Sequence, residues 1–110
     1  MRVELDIFSG RPNPEWELQE HEVAELESII KRSSPSQGKV DPPGLGYRGF
    51  IVYLPDTVRI YKGQIFDERD WSDNRLADVG IKLDLWLLEI GRTHLDPAVY
   101  EACFLALQHS

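Results

Sequence analysis

The stretch "TVRIYKGQIF" (Thr57–Phe66) decides the architecture. Two runs of β-branched, aromatic and apolar residues flank Lys62-Gly63, and a two-residue connection of that kind predicts a tight antiparallel hairpin. Just upstream, "YRGFIVYL" (47–54) is apolar on both faces toward its end, as a central strand is. At the start of the chain Val3, Leu5 and Ile7 alternate with Arg2, Glu4 and Asp6, the period of a strand with one wet face. These runs give a sheet of about four strands.

Helical periods fill the remainder. Val23, Leu26, Ile29 and Ile30 fall on one stripe between about Leu18 and Arg32, with acids in the first turns and Lys31 and Arg32 in the last, an order that complements the helix dipole. Leu76, Val79, Leu83, Trp86, Leu87 and Ile90 step by threes and fours, with Gly80 weakening the run and Gly91 placed to stop it. Asp96-Pro97 starts a last helix, Asp as N-cap and Pro as first helical residue. Leu95 and Tyr100 stand at the positions of a hydrophobic staple. The order is β-α-β-β-β-α-α. It predicts a two-layer α+β domain over residues 1–110, with a small mixed or antiparallel sheet and three helices on one face.

Two segments resist a regular period. Residues 33–46, "SSPSQGKVDPPGLG", hold three Ser, three Pro and three Gly and read as a long loop. "DERDWSDNR" (67–75) is polar and irregular.

Composition narrows the function classes. The chain of 110 residues carries a net charge of −7 with 42% hydrophobic residues, the profile of an ordinary globular domain. A single cysteine, Cys103, excludes an internal disulfide, and the charged, alternating N-terminus has no signal-peptide core, so a cytoplasmic location is expected. No run approaches the length of a membrane span. Six acids (Glu15, Glu17, Glu20, Glu22, Glu25, Glu27) lie between positions 15 and 27 without a Lys or Arg, so all but one unit of the net charge sits there. Such a face repels phosphate backbones and steers a basic protein surface, while a solvated helix face serves solubility as well.

The chemical motifs are thin. "GLGYRG" (44–49) matches G-x-G-x-x-G, but a loop precedes it and a strand follows, the wrong context for a dinucleotide site. His21, His94 and His109 show no ligand spacing, and Asp67, Glu68, Asp70 and Asp73 lack the pattern of a calcium loop, so no metal and no cofactor is expected. Cys103 lies in an apolar helix, and no G-x-S-x-G elbow is present, so no catalytic residue is assigned.

"FSGRPNPEW" (Phe8–Trp16) is the best candidate for a site. Pro12 and Pro14 hold Arg11 and Asn13 extended, so the loop is stiff, and it presents Arg11, Asn13 and Trp16 at small entropic cost. The same residues also suit a structural corner between strand and helix. A second corner, 42–49, carries Tyr47 and Arg48; if the two corners share one end of the sheet, Arg11 and Arg48 form a clamp for a carboxylate or phosphate. The first expectation is therefore a non-catalytic binding module for a basic protein partner, using the 9–16 loop and the acidic 15–27 face. The second is a binder of, or modest enzyme on, an anionic small molecule. A homodimer through the apolar helices is the third.

Overall fold

The computed structural model describes residues 1–8, 10–32, 46–53, 57–67, 75–78 and 80–108. Strands β1 (Arg2–Leu5) and β2 (Glu15–Glu17) precede helix α1 (Glu20–Arg32). Strands β3 (Phe50–Tyr53), β4 (Thr57–Tyr61), β5 (Gln64–Asp67) and β6 (Arg75–Asp78) follow, then α2 (Lys82–Gly91), a 3₁₀ turn over Arg92–His94, and α3 (Pro97–Gln108). The strands form one sheet in the order β2-β1-β3-β4-β5-β6, antiparallel throughout.

Registry explains why the sheet folds onto the helices. Trp16, Val3, Val52 and Val58 stand opposite one another in a row across four strands, and Leu5, Phe50, Ile60 and Ile65 form the next. Both rows join one core with Leu26 of α1, Leu83, Leu87 and Leu88 of α2, and Cys103 and Leu107 of α3. Phe50, Leu5, Leu87 and Leu107 are completely buried, and each such side chain stabilises by about 1.5–3 kcal/mol.

The hairpin turn forms as the Lys62-Gly63 pair predicts: Lys62 has φ 49° and Gly63 φ 79°, the two positive values of a type I′ turn. Gly63 is also required by contact, since a Cβ there would lie 2.3 Å from the carbonyl carbon of Gly80. Asp96 caps α3, its Oδ1 accepting the Ala98 N–H at 2.9 Å. Gln19 caps α1 in reverse, its N–H bonded to Glu22 Oε1 at 2.8 Å, one half of a capping box.

Three boundaries differ from the periodic reading. The α+β class and element order hold, but among the described residues the sheet has six strands rather than about four. Strand β2 hides in "PEWEL", where three residues are too few to display a period. Strand β6 occupies positions where the helical stepping begins at Leu76; Gly80, with φ 77°, breaks the chain and α2 starts only at Lys82. Gly91 ends α2 with a right-handed backbone (φ −81°), so its conformation is not the glycine stop expected. A Cβ on Gly91 would sit 2.2 Å from the Trp16 ring, which is the reason it is glycine. The expected loops at 33–46 and 67–75 fall almost entirely outside the described residues.

Candidate interaction site

The corner after β1 is built on Asn13. Its side-chain oxygen accepts the N–H groups of Ile7 (3.1 Å) and Phe8 (2.8 Å), while its amide nitrogen donates to Glu4 Oε2 at 2.9 Å and Asp6 Oδ1 at 3.3 Å. One side chain thus satisfies the turning backbone and ties it to the polar face of β1. Pro14 continues the ladder by accepting the Leu5 N–H at 2.9 Å.

Two arginines converge on the same face. Arg48 donates to Asp6 Oδ1 at 2.8 Å and to the Phe8 carbonyl at 2.6 Å; Arg59 donates to Asp6 Oδ2 at 2.6 Å and to the Arg48 carbonyl at 2.8 Å. Arg59 has a side-chain exposure of 8% and Asp6 of 12%, so these bonds lie largely out of water, where a charge without a partner is expensive. The Arg48 N–H bonds the Asp6 carbonyl and the Asp6 N–H bonds the Gly49 carbonyl, which sets the second corner directly beside the first. Arg48 Nε is buried and has no acceptor among the described residues. Glu4 completes the group, accepting the Tyr53 hydroxyl at 2.7 Å, and the Arg2 guanidinium covers the Tyr53 ring.

The described part of the second corner, residues 46–49, therefore adjoins the first, with 42–45 outside the described residues, but the two arginines do not stand free together. Asp6 and the Phe8 carbonyl occupy Arg48. Arg11 lies exposed with its guanidinium 3.7 Å from the centre of the Phe8 ring. It has no ion-pair partner among the described residues. The loop tip thus offers Arg11 over Phe8 on a base fixed by Asn13 and Arg48.

Trp16 and Tyr47 have different placements from those of surface anchors. Trp16 points into the core at 4% exposure, edge-on to Phe50 and stacked on His94. Alternation along β2 turns it inward while Glu15 and Glu17 face water. Tyr47 is buried, and its hydroxyl donates to Asp84, a carboxylate with no exposed surface. Asp84 also accepts the Lys62 N–H at 2.9 Å and the Gly63 N–H at 2.6 Å, so α2 holds the hairpin turn through one carboxyl group. Burial pushes the Asp84 carboxyl above its ordinary value despite these donors, and burial with the neighbouring Asp84 pushes Tyr47 well above its own. Cys103 is buried nearby in the core, its thiol pushed up to about 12 by burial, which leaves it unreactive at neutral pH.

The acidic run is displayed along β2 and α1. Glu15, Glu17, Glu20, Glu25 and Glu27 are exposed; Glu22 turns back to Gln19. Glu15 and Arg2 form an exposed pair at 4.0 Å, which is worth little. Elsewhere, two shallow depressions of about 460 and 330 Å³ border Tyr100 and Phe104 on the outer side of α2 and α3. Among the described residues, no three His, Cys, Asp or Glu side chains gather as a metal site. No described helix is long and apolar enough to cross a membrane.

The sequence reading omitted Asp6 and Arg59. The signal was present: Arg59 is a charge in the middle of the apolar run TVRIY, and such a residue inside a sheet demands a counter-charge. Comparison of the chain with protein-family models, curated proteins and solved structures gives no match.

Proposed function

We propose that this protein is a non-catalytic interaction module that binds a basic protein partner, with the acidic β2–α1 segment steering the partner and the Arg11 loop tip anchoring it. The observation that supports this reading most is the exposure of Glu15, Glu17, Glu20, Glu25 and Glu27 on one continuous segment without an intervening cation. Charges of one sign in such a run raise encounter rates with an oppositely charged surface. The loop beside it needs little ordering on binding, because Asn13 and Arg48 already fix its base. Arg is also among the residue types that dominate binding energy at interfaces. Arg48 is a support for that loop in this reading, and Trp16 and Tyr47 belong to the core behind it.

The test uses the whole protein as bait in a lysate of the source cells, beside Arg11→Ala and Glu20→Gln/Glu25→Gln/Glu27→Gln. A basic protein retained by wild type at low salt, and reduced with both variants, is the expected result. Equal retention by all three would remove the reading.

A further inference from the structure

β2 lies at the edge of the sheet, and its hydrogen-bond parity is fixed by the contacts on its inner side. The Leu5 N–H bonds the Pro14 carbonyl at 2.9 Å, Val3 stands opposite Trp16, and the Leu18 N–H bonds the Met1 carbonyl at 2.8 Å. Positions 14, 16 and 18 therefore face β1. In an antiparallel ladder the intervening residues point their N–H and C=O groups the other way, so both backbone groups of Glu15 and of Glu17 face outward. Among the described residues no strand pairs with that side. Their side chains are 50% and 71% exposed and stand on one face of the strand, while Trp16 between them turns to the core face.

An unpaired edge is a template for another strand, and natural proteins restrict what it accepts by the charges they place on it. Here the restriction has a sign. A second copy adding antiparallel through the same edge would set glutamate opposite glutamate, which is destabilising. A strand with cations at alternate positions has the opposite relation: its two cations stand opposite Glu15 and Glu17, and the residue between them lies over the Trp16 side of the sheet. Main-chain bonds then supply affinity and the alternate side chains supply selection.

The geometry points to β2 as a strand-addition site for an extended basic segment of the partner, of the pattern Lys/Arg–apolar–Lys/Arg, paired antiparallel to Glu15–Glu17. This rests on the basic-partner reading above and specifies how the partner is held.

The experiment titrates ¹⁵N-labelled full-length protein with a capped heptapeptide carrying that alternation. Three further peptides serve as controls: one of the same composition with its cations adjacent, and two with a single backbone N-methyl group, placed either on a residue whose N–H would bond β2 or on its neighbour. The alternating peptide is expected to shift the Glu15 and Glu17 amide signals and to slow their hydrogen exchange. The N-methyl group at the bonding position is expected to weaken binding roughly tenfold or more, and at the neighbouring position far less. Glu15→Gln/Glu17→Gln is expected to weaken the alternating peptide while leaving the folded spectrum intact. If all four peptides bind alike and release in salt, strand addition is wrong and the acidic-surface reading survives. If none binds while the lysate experiment yields a basic partner, strand addition is again wrong. If neither experiment gives binding, both readings fall.

Discussion

Asn13 illustrates how one side chain sets a corner. It accepts two backbone N–H groups and donates to two carboxylates, so Asn13→Ala removes four hydrogen bonds and leaves partly buried donors without acceptors. A loss of about 2 kcal/mol in urea unfolding is expected; a change within about 0.5 kcal/mol would mean the corner is held by its prolines alone. Arg11 gives the contrasting case. It is exposed and its guanidinium covers the Phe8 ring, so Arg11→Ala is expected to change stability by no more than about 1 kcal/mol. A larger loss would make the loop tip architecture instead of surface. Asp84 carries a pH dependence of defined sign. Burial raises its carboxyl above the ordinary value, so the folded chain keeps that proton to higher pH than the unfolded chain. The stability this group contributes is complete below the ordinary value of about 3.9 and is lost as pH rises through the raised value. Asp84→Asn does not titrate, so the advantage of wild type over it should shrink from about pH 4 toward neutrality. Stepped-pH unfolding measures this, and an advantage that grows with pH would contradict it.

At the scale of elements, contact overrides propensity at Gly91. A glycine in a helix ordinarily gains about 0.5–1 kcal/mol on replacement by alanine. Here the new Cβ would meet the Trp16 ring at 2.2 Å, and that ring is wedged between Phe50 and His94. Gly91→Ala is expected to destabilise by about 1–3 kcal/mol, the usual range for overpacking; stabilisation would show that β2 and α2 are free to separate. The same contact shows why part of the fold was legible and part was not. Periodic apolar runs declared α1 and α2, the Lys62-Gly63 pair declared the β4–β5 hairpin, and Asp96-Pro97 marked the start of α3. The three residues of β2 carry no period, and the Trp16–Gly91 approach joins positions 75 apart in sequence that no local rule relates. Of the candidate residues, Arg11 is exposed at the loop tip, whereas Asn13, expected to be presented there, is turned inward onto Glu4, Asp6 and the backbone, and Arg48 could not be read without its partner Asp6, 42 positions away.

For the molecule as a whole, charge distribution is the feature that matters. Six units of the net charge of −7 lie between positions 15 and 27, beside a loop whose base is fixed by ion pairs largely out of water. Asp6, Arg48 and Arg59 are paired with one another at the corners, while the exposed acids from Glu15 to Glu27 follow one another with no cation between them. That separation is what couples architecture to the proposed binding. The polar network uses Asp6, Arg48 and Arg59 to hold the corners, while Glu15 and Glu17 make only exposed pairs, with Arg2 and the N-terminal ammonium, and Glu20, Glu25 and Glu27 are exposed. The most direct measurement is the association rate constant between this protein and its captured partner at ionic strengths from about 0.01 M to 1 M, where the screening length falls from about 30 to 3 Å. Steering by the acidic segment requires the rate to fall steeply over that range, and to fall much less for Glu20→Gln/Glu25→Gln/Glu27→Gln. A rate indifferent to salt, or one equally sensitive in wild type and variant, would contradict it.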